Sequence, residues 1–569
     1  MSCKLVTRTI HHYCTYATVN FRTKNLQEGK GLPPLSAGGV QVYARKATGV
    51  VREVSSHEAL LANIALMQIG LPGFYVYVTS WLFPGWDIPI IFLISLVPVT
   101  AHAIVLSIMT SQFPRSGADY AWASRIVHPV WVVAPYVATL ILGSLLTPGF
   151  LDWGLYGGIG TIIESMSIIL KQPSLLSGAA TAVDPNVRFL YVSAFLAVFF
   201  VLNVTRFSWV RKWIAFWAIV GTIAGFTSGI SLMMSSHETF VNLWNLNMGQ
   251  YMTYDQVIQT ASSNGYPWVA AGAGTFGTFF AILANTYEMS VGYSGSISFS
   301  GEIKDARRSI PYSVIGSVYL GAVVLFLMVY GIDHVVGQRF VYSALYLYYA
   351  RPDLWKGPFV ADPFLFATIA TGLNPVLAVV IPLGLIAGAF GLLGVFYVVF
   401  SRYLLAYSFD RFMPTAMARV SKKYHTPWFA LLVIFLISEC GIAFSAYWAA
   451  GVIFIGLPFR SMSMLAIVAT VAAALLFPVL AKPLYQRSEI VQHYKYILAI
   501  CSIIVLAFFV FAVPMVLSHP EYGGPSNPQI AAFYVLLLLV GPVIWGVSKV
   551  YWGRRGLDIS LVYKEIPPG

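Results

Sequence analysis

Charge is what this sequence has least of. Asp, Glu, Lys and Arg make up 10% of its 569 residues, against about 25% in an ordinary soluble protein. A soluble globule of this length cannot cover its surface with so few charges. Cysteine is scarce too: only Cys3, Cys14, Cys440 and Cys501 occur, no two are spaced as Cys-x-x-Cys, and the last two lie in apolar runs. A disulfide framework and a zinc site are thereby excluded, and neither metal nor cofactor is expected. His-Glu-x-x-His and Gly-x-Ser-x-Gly are missing as well. The chain therefore does not read as an enzyme.

What is present is apolar. Hydrophobic residues are 58% of the chain and the mean hydropathy is +0.74. Lipid, not water, is the solvent that suits such a composition. Apolar runs long enough for a helical span, about 20 residues, fall near 57–80, 88–112, 130–152, 189–207, 212–234, 267–300, 311–332, 375–408, 427–449, 456–480, 495–517 and 529–551. The expectation is an all-α polytopic membrane protein with about twelve spans. Barrel strands would be shorter and would alternate in polarity. The run 130–170 exceeds one span, and Pro148-Gly149 interrupts it; it predicts a long kinked helix or a helix with a re-entrant piece. A short outer helix is expected near 364–372, and 235–266 and 333–363 are the longest loops.

The net charge of +12 sits in short clusters between the runs. It reads as topology and not as a nucleic-acid surface. Of 34 Lys and Arg, 28 fall in the N-terminal tail to residue 56, in 113–129, 205–213, 301–312, 401–426 and 481–497, and in the tail from 547. The six others are Lys171, Arg188, Arg339, Arg351, Lys356 and Arg460. The rich side is expected to be cytoplasmic, with both termini on it. Trp81, Trp86, Trp209, Trp213, Trp428 and Trp552 lie near span ends, where indoles anchor in the interface. The first 27 residues hold Lys4, Arg8, Arg22 and Lys24 but no acid. That composition is shared by transit peptides and by plain basic tails, and the tail is the expectation.

Two spans carry breakers at their centres. The first contains Gly70-Leu71-Pro72-Gly73, the sixth Gly292-Tyr293-Ser294-Gly295. Proline removes an N–H and glycine lets the backbone leave the helix. Unwound backbone is tolerated at membrane depth only inside protein or around a cavity. Two interrupted spans five apart point to a transporter site between repeats, and an odd repeat length requires the second copy to be upside down.

The loops carry a resemblance. Gly292-Tyr293-Ser294 followed by Gly301-Glu302-Ile303-Lys304-Asp305-Ala306-Arg307-Arg308-Ser309-Ile310-Pro311 resembles the sixth-span signature of the amino acid–polyamine–organocation superfamily. Phe113-Pro114-Arg115-Ser116-Gly117-Ala118-Asp119-Tyr120 is similar to its loop after the second span. Ser401-Arg402, Asp410-Arg411-Phe412-Met413-Pro414 and Thr426-Pro427 resemble its loop after the eighth. The first break departs from the family's Gly-Ser/Ala-Gly, and Ser294 stands where an acid is common. The resemblance implies a secondary transporter with a five-plus-five inverted repeat, discontinuous first and sixth spans and two trailing helices. The expected divisions are a basic cytoplasmic tail 1–56, repeats 57–234 and 267–480, helices eleven and twelve in 495–551, and a cytoplasmic tail 552–569.

A half-helix N-terminus offers unpaired N–H groups to a carboxylate. Ile69, Gly70, Leu71, Gly73 and Phe74 are the candidates in the first break, with donors expected around Leu71, Gly73 and Phe74. In the sixth, Gly292, Tyr293 and Ser294 are substrate-binding candidates, with carbonyls before Gly292 for an ammonium group. Glu288, one turn earlier, is a candidate for binding that ammonium or for carrying a proton. His102, Glu164 and Glu439 are weaker candidates. Glu302, Lys304, Arg402 and Asp410 are candidates for ion pairs of a cytoplasmic gate; exposed pairs contribute only about 0–1 kcal/mol each. In the family a sodium site, where present, uses first-span carbonyls and a Ser/Thr pair in the eighth span. Here Val376 to Phe400 contains no Ser or Thr, and no Lys lies in 213–234. Sodium-independent transport is expected. The reading is a plasma-membrane transporter for amino acids or related amines, coupled to protons or working by exchange. The alternatives are a nucleobase or polyamine carrier, or a non-transporting sensor on the same fold.

Overall fold

A computed structural model describes residues 52–176, 184–269, 272–448, 451–520 and 523–564. The chain divides by its contacts after Lys46, and every described residue lies in the second part, Ala47–Gly569. Most of the basic tail, with Cys3 and Cys14, lies outside the described residues.

Among the described residues, eleven helices are long and apolar enough to cross a membrane: Ser56–Ser80, Ile88–Gln112, Pro129–Leu170, Pro185–Thr205, Phe207–Met233, Ala306–Val335, Leu377–Phe409, Trp428–Tyr447, Ile455–Leu480, Lys495–Ser518 and Pro528–Gly553. The twelfth apolar run is the sixth in order. It starts at Phe276 and not at 267, because Thr275 caps the helix by accepting the N–H of Thr278. The α-helix ends at Met289 after 14 residues. The chain continues as 3-10 helix through Val291–Ser298 and Ser300–Glu302. The chain is thus an all-α polytopic membrane protein, with one of its expected spans wound in two ways.

Sequence-local chemistry sets the other starts. Ser55 and Glu58 form a reciprocal capping box before Ser56. Asp87 caps the second span through the N–H of Ile90 at 2.8 Å. The third span is one helix of 42 residues, about 63 Å at 1.5 Å per residue. Pro148 lies inside it and leaves the carbonyl of Ser144 without its helical donor. The Ser438 hydroxyl of the ninth span supplies one at 3.0 Å. A re-entrant piece is therefore not needed to explain the long run.

The eighth span is the core. Along its most apolar stretch 83% is buried, against 22% for the fourth and the twelfth. Gly384, Gly388, Gly391 and Gly394 recur along it, and small residues let other backbones approach closely in a bilayer. The loops expected at 235–266 and 333–363 are largely helical, with His237–Met248, Tyr254–Ser263 and Gln338–Tyr349, and the short helix is Pro363–Ala370. Phe340 stacks on Tyr254 with centroids 4.7 Å apart and meets Trp244 edge-on at 4.8 Å.

At the end rich in Lys and Arg, the first and last described stretches are docked. Val54 bridges Ile303: its N–H donates to the Glu302 carbonyl, and the Lys304 N–H donates to its own. The described part of the C-terminal tail is not loose either. Ile559–Lys564 is a 3-10 turn with Ile559, Val562 and Tyr563 buried.

Candidate functional site

The first span breaks at four residues. Ser56–Met67 ends with Gln68 in the left-handed region, at φ 55°. A second helix, Pro72–Ser80, begins with no side-chain cap. Proline suits this first position because its absent N–H would be unpaired anyway. The donors differ from the sequence expectation. Leu71 N–H donates to the Gln68 carbonyl at 2.7 Å, and Phe74 N–H to the Leu71 carbonyl at 3.2 Å. Both are engaged within the turn. Gly73, at the second helical position, is left as an orphan donor of the helix start. A Cβ at Gly73 would lie 2.6 Å from Cβ of Met328 on the seventh span. A larger residue there strikes that span before it reaches any ligand.

The sixth-span break is a change of winding, not an open coil. The carbonyls expected to be free just before Gly292 are partly used: the Ser290 N–H donates to Tyr287 O at 3.1 Å, and the Ser294 hydroxyl donates to Val291 O at 3.1 Å. An eight-residue 3-10 run is long, since such runs seldom exceed four residues. Asn63 of the first span, fully buried, accepts the Ser296 N–H at 2.6 Å. The two breaks touch. A Cβ on Gly292 would lie 2.1 Å from the Met67 nitrogen, so only glycine fits there. The eighth span closes the other side: a Cβ on Gly384 would lie 2.6 Å from Gly70 O, and one on Gly388 3.1 Å from Gln68 Cβ.

Tyr293 is fully buried and turns toward the second span. His102 Nδ1 hydrogen-bonds its hydroxyl at 2.7 Å and that of Tyr287 at 2.8 Å. This triangle is where the structure puts Tyr293. Ser294 and Gly292 flank it on the 3-10 turn. Ile69, Gly70, Leu71 and Phe74 are all buried at the first break.

Glu288 faces the tenth span. Its Oε2 lies 2.6 Å from Arg460 Nε, with side-chain exposures of 27% and 11%. The other oxygen, Oε1, is buried without a hydrogen-bond donor. Arg460 was legible as a lone cation inside an apolar run, which is a functional signal by default; sequence reasoning had counted it only as loop charge. Tyr75, beyond the first break, lies within electrostatic reach of Arg460 and packs on Trp153 with centroids 5.1 Å apart. Glu439 accepts a bond from the Ser193 hydroxyl at 2.7 Å. Glu164 has only a 3.5 Å contact from Val360 N. Both lie away from the breaks in sequence and partner.

At the basic end, the four gate candidates separate. Arg402 and Glu302 pair bidentately at 2.8 and 3.1 Å, with side chains 1% and 2% exposed. They are buried, so the scale for exposed pairs does not apply. Asp410 pairs instead with Arg125, at 2.5 and 2.7 Å, a residue that sequence reasoning passed over. Lys304 is exposed. Asp119, in the helix Ala118–Ile126 between spans two and three, accepts the hydroxyls of Tyr136 at 2.5 Å and Tyr403 at 2.6 Å. Burial raises its carboxyl above the usual range, and those two hydroxyls offset only part of the rise.

The breaks, the pairs on either side of them and the glycine-lined eighth span all lie within one continuous match: residues 59–540 fit the family model described as Amino acid permease. No curated protein matches the chain.

Proposed function

The chain belongs to the amino acid permease family, and we propose that it is a secondary active transporter moving amino acids or related amines by alternating access. The observation that carries this reading is the contact of two interrupted spans, Gly292 against Met67. A permease of this family reads as a transporter and not as an enzyme. The repeats are 57–234 and 267–480, inverted with respect to each other, with 495–551 trailing. The substrate lies at the breaks, among Ile69, Gly70, Gly73, Glu288, Gly292 and Ser294. Its carboxylate meets the start of Pro72–Ser80 and its ammonium meets Glu288. The experiment is uptake into proteoliposomes from a panel of labelled amino acids. An amino acid amide, lacking the carboxylate, is expected to compete about 10- to 100-fold more weakly than the acid, the value of a lost charged hydrogen bond. Equal competition would remove the carboxylate site.

Transport is expected to be unchanged when sodium is replaced by potassium or choline at fixed pH and voltage. The eighth span supplies no side-chain oxygen between Val376 and Ser401 apart from Tyr397, and sodium requires oxygen ligands. Backbone contact from Gly384 and Gly388 fills the space against the first break, which supports the same reading. Coupling is to protons or by exchange. A proton reaches Glu288 only in competition with Arg460, which favours exchange. Loss of concentrative uptake on removing sodium would overturn this.

We place the protein in the plasma membrane; the bias of its basic residues supports both termini being cytoplasmic. Single cysteines in 401–426 are expected to resist an impermeant reagent in intact cells, while those in 235–266 react. The reverse pattern would invert the orientation.

A further inference from the structure

The Glu288–Arg460 pair stands on the same side of both breaks as Tyr75. The first span passes its break before Tyr75, whereas the sixth, running the other way, reaches Glu288 before its own. The transporter reading uses Arg460 only as a rival to the proton at Glu288. Yet it is an ionised group in a span, held 2.6 Å from a carboxylate whose second oxygen lacks a donor, and both side chains keep partial exposure. The pair is less sealed than Glu302–Arg402, whose side chains are 2% and 1% exposed. Glu439 and Glu164, the other span carboxylates weighed from the sequence, have no cation as hydrogen-bond partner among the described residues: Glu439 accepts from the Ser193 hydroxyl and Glu164 from the Val360 N–H.

We propose that Arg460 is a specificity-determining residue that makes the lining charge-neutral, so that the transporter selects amino acids with uncharged side chains and rejects cationic and anionic ones. The proposal rests on the transporter reading and deepens it. The ammonium of a zwitterion takes the unfilled Oε1 of Glu288, while Arg460 balances the carboxylate's charge. A second cationic group, on lysine or a diamine, then finds no counter-charge. An additional carboxylate, on glutamate, finds Arg460 already engaged. In a low-dielectric site an uncompensated charge is strongly disfavoured.

The test is competition against uptake of a labelled neutral amino acid in proteoliposomes, with leucine, lysine, putrescine and glutamate as competitors. The unaltered protein is expected to be inhibited by leucine at least tenfold better than by the three charged compounds. Arg460→Gln leaves Glu288 unbalanced and is expected to improve lysine or putrescine at least tenfold relative to leucine. Glu288→Gln removes the acceptor of the substrate ammonium and is expected to lose uptake of every amino acid, so the second arm is Arg460→Lys, which keeps the balancing charge and is expected to keep the order of competitors. If Arg460→Gln fails to insert, the order in the unaltered protein decides. Should the unaltered protein take lysine as readily as leucine, or should Arg460→Gln keep the original order of competitors, the proposal is overturned and the transporter reading stands. Should no amino acid or amine of any class be taken up or compete, the transporter reading itself fails.

Discussion

Gly292→Val is expected to abolish uptake. A Cβ at this position would sit 2.1 Å from the nitrogen, 2.2 Å from Cα and 2.5 Å from Cβ of Met67. Two of those atoms are backbone, so no rotamer change relieves the overlap. The first and sixth spans must separate just where both are interrupted. Overpacking of a well-filled core typically costs about 1–3 kcal/mol, and backbone contact places this site at the upper end. Gly546→Ala in the twelfth span is the matched control, because nothing lies within 4 Å of a Cβ there; its uptake is expected to be unchanged. The measurement is uptake per inserted molecule, with insertion followed by surface labelling. Normal uptake by Gly292→Val would mean that the breaks do not need to touch.

Glu302→Gln is expected to destabilise the fold by about 3–5 kcal/mol, the range for removing one partner of a buried pair. Arg402 would remain with its guanidinium 4.8 Å from the centre of the Phe207 ring and one nitrogen on the Ser401 hydroxyl at 2.9 Å. Neither cancels a full charge. Chemical unfolding in detergent reads the loss. Glu302→Met combined with Arg402→Met is expected to recover most of it, since apolar replacement of a whole buried pair is often neutral. The double variant also separates two roles. If it is stable and transports, the pair only fastens the loop after the sixth span to the eighth. If it is stable and transport is lost, the pair opens and closes as a gate. An unchanged midpoint in Glu302→Gln alone would show that the charge is not sealed off in solution.

The sequence exposed what depends on residue type and hid what depends on partners. Both breaks were legible because proline and glycine announce themselves, as in Gly70-Leu71-Pro72-Gly73. Hydropathy placed the spans, but caps and loops set their ends: Thr275 delays the sixth helix to Phe276, and the fifth and seventh begin five residues before their apolar runs, at Phe207 and Ala306. The 3-10 winding of Val291–Ser298 was invisible: no residue in Val-Gly-Tyr-Ser-Gly-Ser-Ile-Ser dictates it, and tertiary bonds such as Ser296 N–H to Asn63 hold it. Pairings were hidden for the same reason. Glu288 and Arg460 lie 172 positions apart, and Asp410 found Arg125 and not a neighbour in its own motif. The helices of 237–263 and 338–349 were missed because their aromatic faces are covered by one another and not by lipid.

The 3-10 segment also stores length. Eight residues at about 2.0 Å per residue reach about 16 Å, whereas the same eight rewound as α-helix reach about 12 Å. Rewinding Val291–Ser298 would therefore shorten the sixth span by about 4 Å. Glu302 lies four residues past the far end of that stretch, clamped to Arg402, and Gly292 lies at its near end, wedged on Met67. A retraction of this size draws on one anchor or the other without tilting any helix. The segment is a telescoping rod set between two fixed joints, and its stroke is comparable to one turn of α-helix, about 5.4 Å.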